Sequence, residues 1–218
     1  MHNDCRRPPR ITAYSTAIDF SIAVLYCGTM DTREQLAHHA LALIDEQGLP
    51  GFTTRSVCAR SGVTAPTLYH HFGDADGLLD EAVSLGFVQF MQRKRAQPAR
   101  KSPEMQVLAG WDDYVSFARE RPHLYLAMTM RTLEGRNIAA ARESRAHLIS
   151  RLERLASTRH LAHPLETIAD ILWATVHAAS MLHIRKRNEK VPRAAIAALR
   201  DTAARALQPV ATTARSKS

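Results

Sequence analysis

Apolar residues recur at helical spacing along nearly the whole chain after residue 30, and this periodicity constrains the fold more than any other feature. Prolines mark many of the interruptions, because proline is tolerated at the start of a helix but not in its interior. No segment shows the alternation typical of a strand. The spacing predicts an all-α protein with helices at about 31–47, 54–61, 65–72, 74–95, 104–120, 122–132, 136–158, 165–186 and 192–207.

Composition narrows the class of protein further. The chain has 218 residues, of which 45% are hydrophobic, so it is long enough to bury a real core. Its net charge of +8 favours anionic partners. Three cysteines are too few and too scattered for a disulfide framework or a zinc cluster, which indicates a reducing compartment and a cytoplasmic protein. No apolar run reaches the length of a membrane span.

The two ends of the chain differ from the rest. Residues 1–30 combine arginines with a moderately apolar stretch, but Asp19 interrupts that stretch and no clear cleavage site follows. We therefore expect an N-terminal extension, disordered or translated from upstream sequence, rather than a secretory signal. Residues 211–218 are expected to form a polar tail.

Two short helices, at 54–61 and 65–72, are joined by a tight turn at Gly62 and Val63, which is the spacing of a helix-turn-helix unit. Thr54 and Thr64 are the predicted N-caps. Leu68 and Phe72 lie four residues apart and are expected to face inward. The residues left on the outer face or at its rim, where a DNA groove would lie, are Ala65, Pro66, Thr67, Tyr69, His70 and His71.

The run TTRSVCARSGVTAPTLYHHF (53–72), with a helix before it and GDADGLLD after it, resembles the DNA-binding domain of the TetR family of transcriptional regulators. The resemblance covers about 50 residues. It implies a three-helix DNA-binding domain at 31–77 and a ligand-binding and dimerisation domain at 78–210. It also implies phosphate contacts from Thr54, Thr67, Tyr69 and His71, and base contacts from Arg55, Ala65, Pro66 and His70. The function implied is that of a ligand-responsive regulator, most simply a repressor, which binds a palindromic operator as a homodimer.

The charge of this segment is unusual for a DNA-binding domain. Residues 31–90 contain three arginines against eight carboxylates, a net charge of −5, and Ala75 stands where family members commonly have a phosphate-binding lysine. Because phosphate neutralisation and counterion release drive much of DNA binding, we expect weakened binding with a shallow salt dependence. An alternative class follows from this: a helical small-molecule sensor or carrier that has lost specific DNA binding.

The C-terminal helices are apolar on most sides and are expected to be buried. The segment WATVHA (173–178), together with residues 114–128, resembles the C-terminal subclass named for a W-x-x-x-H-G pattern, with Ala178 in place of the glycine. The family resemblance implies a chamber for a small effector, which we expect to be apolar or aromatic. The candidate ligand-binding residues are Trp111, Tyr114, Tyr125, Met128, Trp173 and His177. The alternative interpretation of each is a core residue at helical spacing.

The last two helices, at about 165–186 and 192–207, are the expected homodimer interface. One apolar face is formed by Ile196, Leu199, Ala203 and Leu207, together with Ile168, Leu172 and Thr175. Packing within a single chain would produce the same pattern, so both arrangements stay open at this point. The dimer is favoured because two recognition helices must reach successive major grooves, about 34–36 Å apart.

Other chemistry receives little support from the sequence. Adjacent histidines such as His70 and His71 diverge on a helix, so no metal site is expected. A set of arginines in the seventh predicted helix and just beyond it could form an anion site, although a solvated helix face is favoured: Arg142, Arg145, Arg151, Arg154 and Arg159. No nucleophile motif, phosphate-binding glycine loop or paired carboxylates occur. We therefore expect neither an enzyme nor a cofactor.

Overall fold

The computed structural model describes residues 31–95, 102–185 and 191–209. Within these ranges the chain forms nine α-helices, which confirms the all-α prediction: α1 (Thr32–Gln47), α2 (Thr54–Ser61), α3 (Ala65–Phe72), α4 (Ala75–Arg95), α5 (Pro103–Glu120), α6 (Pro122–Leu133), α7 (Ala139–Ala156), α8 (Leu165–Arg185) and α9 (Arg193–Ala206). A short 3-10 turn, Leu49–Gly51, follows α1. The predicted extension 1–30 and tail 211–218 lie outside the described residues.

One predicted N-cap and one predicted helix start are wrong. The N-cap of α2 is Thr53 rather than Thr54, because the side chains of Thr53 and Ser56 each accept a hydrogen bond from the other's backbone N–H, both at 3.0 Å. The predicted helix 136–158 begins only at Ala139. Gly135 adopts a φ of 72°, and the Arg136 N–H bonds to the carbonyl of Arg131, so the chain turns before α7 starts.

Helix α4 joins the head, which we define as α1–α3, to the remaining helices. The Asp74 carboxylate caps it by accepting a hydrogen bond from the Gly77 N–H at 2.7 Å. Its apolar stripe packs on α1 at one side and on α6 and α7 at the other. One hydrophobic cluster therefore runs from Leu36 and Leu68 in the head, through α4, to Tyr125 and Met128 in α6.

Charged groups also connect the head to the rest of the chain. Arg121, just before α6, pairs with Asp45 at the end of α1, and its other guanidinium nitrogen donates to the Gln89 side chain at 2.7 Å. Arg131 of α6 is buried and pairs with Asp80 of α4, with Nε 2.8 Å from the carboxylate oxygen. These contacts hold α1, α4 and α6 in one arrangement.

A second hydrophobic cluster is formed by α5, α7, α8 and α9. It contains most of the face expected to form the dimer: Ile168, Leu172, Thr175, Ala203 and Leu207 are all buried within the single chain. Ile196 and Leu199 are half-buried against the same cluster. For these residues the structure favours the intramolecular alternative, because α5 and α7 already cover them. Across the described ranges, none of the helices combines the length and the hydropathy of a membrane span.

Candidate functional site

The turn between α2 and α3 is built by a glycine and by contacts to α1. Gly62 ends α2 in the left-handed region, with φ 69° and ψ 24°, a conformation that is costly for residues with a Cβ. The Ser61 hydroxyl lies 2.9 Å from Nδ1 of His39, which fastens the end of α2 to α1. Val57 and Leu68 are fully buried at the centre of the head. The two short helices are thus held in a helix-turn-helix arrangement.

The predicted DNA-contacting residues lie at the start of α2 and along α3. Pro66, Tyr69 and His70 are exposed, and the Tyr69 side chain retains 44% of its accessible surface. Thr54, Ala65, Thr67 and His71 are half-buried, and Arg55 is exposed. Such a surface offers hydroxyl, imidazole and guanidinium donors beside small residues that permit close approach to a groove.

The three arginines of the head differ in whether they form an ion pair with a carboxylate. Arg60 forms a bidentate pair with Glu46, with both N–O distances at 2.7 Å. Arg33 pairs with Glu81 at 2.9 Å. Arg55 forms no ion pair with any residue that the structure describes. It is therefore the head arginine whose charge is available to a phosphate or a base without a prior partner.

A cavity of about 510 Å³ lies between α4, α5, α6, α7 and α8. Five of the six predicted ligand-binding residues line it: Trp111, Tyr114, Met128, Trp173 and His177. The sixth, Tyr125, is fully buried beside them, and its hydroxyl is hydrogen-bonded to Nδ1 of His177. The structure thus brings the predicted set together, while their role in ligand binding stays a prediction.

Several of these aromatic residues belong to the core as well as to the cavity wall. The indole N–H of Trp111 donates to the Thr175 hydroxyl at 3.1 Å, so its polar group is satisfied inside the protein. Tyr114 makes edge contacts with Tyr125 and His177, at ring-centroid distances of 5.9 Å and 5.6 Å. Burial raises the pKa of both tyrosines, which keeps them neutral. The wall is therefore rigid and aromatic.

The imidazole of His177 is uncharged at neutral pH. Desolvation lowers its pKa to about 4 from an ordinary value of 6.5. The unfolded chain takes up this proton at higher pH than the folded chain does. Stability is therefore fully present above pH 6.5 and is lost as the pH falls towards 4.

This shift gives a testable pH dependence of stability. Between about pH 7 and about pH 5 we expect the wild-type protein to lose about 1–2 kcal/mol more unfolding free energy than His177→Gln, which cannot take up the proton. Urea unfolding at both pH values measures the difference. Carboxylates and other histidines titrate in both proteins and cancel. Equal losses in the two proteins would show that the folded imidazole titrates normally.

The cavity has a basic side that the sequence interpretation missed. Lys94 and Arg95 of α4, Arg136, and Arg142, Arg145 and Arg151 of α7 line it, against one carboxylate, Asp170. Three of the five arginines expected on a solvated face thus border the cavity. The signal for Lys94 was present in the sequence, because it continues the stripe of Phe87 and Met91, which also line the cavity.

A helix-turn-helix head followed by a helical bundle is the architecture typical of one class of DNA-binding transcriptional regulators. Residues 36–82 match the family described as bacterial regulatory proteins, tetR family. The helix-turn-helix segment is therefore similar to the DNA-binding domain of the TetR family of transcriptional regulators, which agrees with the resemblance found in the sequence.

Individual relatives agree with this assignment. The HTH-type transcriptional regulator BetI of Burkholderia cenocepacia is 38% identical over 87 residues, which are 37% of this chain and 45% of that protein. The alignment thus spans less than half the length of this curated relative. The fold is similar to a transcriptional regulator from Rhodococcus sp. RHA1, with a TM-score of 0.63 and 21% identity over 82% of this chain and 97% of the other. A TetR-family regulator from Pectobacterium atrosepticum gives a TM-score of 0.60 and 18% identity, over 86% of this chain and 93% of the other.

Proposed function

We propose that the chain is a homodimeric repressor that binds a palindromic operator and is released from it by a small effector. Residues 31–77 form its DNA-binding domain and 78–210 its effector-binding and dimerisation domain, with 1–30 and 211–218 as flanking segments, in the cytoplasm. The observation that carries this proposal is the exposed face of α3 on a head whose α4 also forms the wall of the cavity. One helix therefore serves both sites.

The operator contacts follow from the side chains on α2 and α3. Tyr69 and Thr67 are positioned to donate to phosphates, and Arg55, Pro66 and His70 to approach base edges. Half-buried His71 adds a donor at the rim. A single head offers few such contacts, so specific binding needs a second head on the next major groove.

The dimer interface is assigned to the outward faces of α8 and α9, because their inner faces are used within the chain. Met181 of α8 remains 45% exposed, with exposed Ala174 and Ala178 on the same side of the helix. Exposed alanines also mark the outer face of α9. A large apolar side chain among small residues on two adjacent helices suits close helix packing between two chains.

Effector response requires a physical link between the cavity and the head. Arg136 lines the cavity, and its guanidinium pairs with Asp80 of α4, with an N–O distance of 2.6 Å. Asp80 also holds buried Arg131, and α4 begins three residues after α3 ends. An effector that displaces Arg136 or shifts α7 therefore acts on α4 and changes the separation of the two α3 helices. Such couplings are typically about 1–3 kcal/mol.

The test of operator binding is a gel shift with DNA from the region upstream of the gene. We expect Tyr69→Ala to abolish the shifted band, because an exposed aromatic hydroxyl at the centre of the α3 face is lost. Met105→Ala is the matched control, since Met105 is 51% exposed on α5, away from the head. A shift by the wild-type protein that survives Tyr69→Ala argues against this contact surface.

The second candidate function is a helical small-molecule sensor or carrier without specific DNA binding. The acidic head favours it: Arg33 and Arg60 are neutralised by carboxylates, and Ala75 at the start of α4 offers no phosphate contact. In this case the wild-type protein fails to shift the upstream DNA at low salt, and Tyr69→Ala has no effect.

A further inference from the structure

The cavity contains two cations that converge on a glycine. A Cβ built on Gly110 of α5 would lie 3.1 Å from an Nη atom of Arg151 and 3.9 Å from Nζ of Lys94. Lys94 comes from α4 and Arg151 from α7, so three helices supply this point. The absence of a side chain at Gly110 is what lets both charged groups approach it.

Neither cation is neutralised by an ion pair in the part of the chain that the structure describes. Arg151 donates to the backbone carbonyl of Gln106 at 3.3 Å, and Lys94 Nζ lies over the Phe90 ring at 4.5 Å. The carboxylate of Asp113 acts on both electrostatically but is itself paired with Arg93 at 3.3 Å. Three of the other basic lining residues differ, because Arg95, Arg136 and Arg145 each pair with a carboxylate.

Desolvation and mutual repulsion both disfavour the charged forms of Lys94 and Arg151. Lys94 is only half-buried by accessible surface, since it lines the cavity, yet desolvation and the nearby Arg151 lower its pKa to about 8. Desolvation also lowers the pKa of Arg151. Two like charges held in a poorly solvated site repel each other, and an anion placed between them removes that repulsion while gaining two charge-assisted hydrogen bonds.

The rest of the wall is apolar and aromatic. Tyr114 connects the two regions, because its ring lies 5.8 Å from Lys94 Nζ and 5.6 Å from the His177 ring. Met128, Trp111 and Trp173 continue the wall beyond it. The cavity therefore offers an apolar compartment with a cationic end.

We propose that this cavity binds an amphipathic organic acid, whose anionic group lies between Lys94 and Arg151 at Gly110 and whose apolar body lies against Tyr114, Trp111 and His177. The inference rests on the proposed effector function and narrows it, because a neutral apolar or aromatic effector leaves both cations with only the nearby carboxylate of Asp113, which is already paired with Arg93. Organic carboxylates and sulfonates share the required chemistry.

The test compares two probes that differ by one charged group, anilinonaphthalene sulfonate and the neutral phenylnaphthylamine, in fluorescence titrations of the full chain. We expect the wild-type protein to bind the sulfonate about tenfold more tightly than the neutral probe. Lys94→Met and Arg151→Gln are expected to lose most of this preference while the affinity for the neutral probe is unchanged. Lys94→Arg is expected to retain it.

Arg154→Gln is the matched control, because Arg154 lies on α7 three residues beyond Arg151, is exposed and does not line the cavity. Thermal unfolding of each variant shows whether it is folded. Equal affinities for the two probes in the wild-type protein, no binding of either probe, or a preference that survives both Lys94→Met and Arg151→Gln would overturn the inference. Operator binding, measured separately by gel shift, distinguishes the proposals: a protein that shifts DNA but shows no charge preference refutes only the organic acid.

Discussion

Asp80→Asn is expected to lower the free energy of unfolding by about 2–4 kcal/mol. The Asp80 carboxylate accepts hydrogen bonds from two arginines, Arg131 with Nε at 2.8 Å and Arg136 with a terminal nitrogen at 2.6 Å. The Arg131 side chain is only 7% exposed. After the substitution, the carboxylates that remain near the Arg131 guanidinium are Glu134 at 2.9 Å and Asp76 at 3.5 Å. These two carboxylates compensate only part of the lost interaction. Urea unfolding measures the change.

The neighbouring residue provides the control. Glu81→Gln removes the same charge one position further along α4, where the partner Arg33 is 45% exposed and Glu81 itself is 35% exposed. Exposed pairs contribute about 0–1 kcal/mol, since water solvates the released charge. If the two variants are destabilised equally, Asp80 is only another surface carboxylate, and the proposed link from the cavity through α4 loses its support.

Arg55→Gln is expected to weaken operator binding by about tenfold or more, equivalent to about 1–3 kcal/mol for each head. Arg55 is exposed at the start of α2 and carries the head charge that no described carboxylate neutralises. The wild-type salt dependence is expected to be shallower than a log–log slope of about −10, because few cations are available to release counterions. Fluorescence anisotropy with labelled operator over a salt series measures both quantities.

Arg60→Gln separates the local contact from overall charge. It changes the net charge of the head by the same amount and lies on the same helix, but Arg60 is already bound to Glu46 through two hydrogen bonds of 2.7 Å. We expect a loss of operator affinity clearly smaller than that of Arg55→Gln. Equal losses of operator affinity in the two variants would indicate that only the net charge of the head acts on DNA. A steep dependence of wild-type affinity on salt concentration would contradict the weak phosphate contact inferred from the acidic head.

Local patterns were sufficient to predict the helices of the head and the turn between α2 and α3. The run from Thr53 to Phe72 contains its own capping, turn and anchoring residues, so the helix-turn-helix is determined within 20 positions. Errors arose where a distant or reciprocal contact decides the outcome. Ser56 moved the cap of α2 to Thr53, and the turn at Gly135 delayed the start of α7.

The cavity shows the limit of a one-dimensional pattern more clearly. Aromatic residues at helical spacing were correctly grouped, because a cavity wall and a core have the same apolar signature. Lys94 was not recognised, and Arg151 was named only within a possible anion site, for which a solvated helix face was the favoured interpretation. Only the packing of α4, α5 and α7 reveals that both approach Gly110.

The sequence by itself determined the fold class of this protein: a chain of helices, a helix-turn-helix head, and an apolar C-terminal bundle. These features depend on spacing, caps and turns, which act over a few residues. The tertiary structure alone decided which faces are already covered and which charges are already paired. It buries Leu172 and Leu207 within one chain and pairs Arg60 with Glu46. It leaves Arg55 on the surface, and it leaves Lys94 in the cavity with no ion pair among the described residues, although the carboxylate of Asp113 is nearby. Burial and ion pairing depend on helices that are far apart in the sequence, and those contacts exist only once the helices have packed.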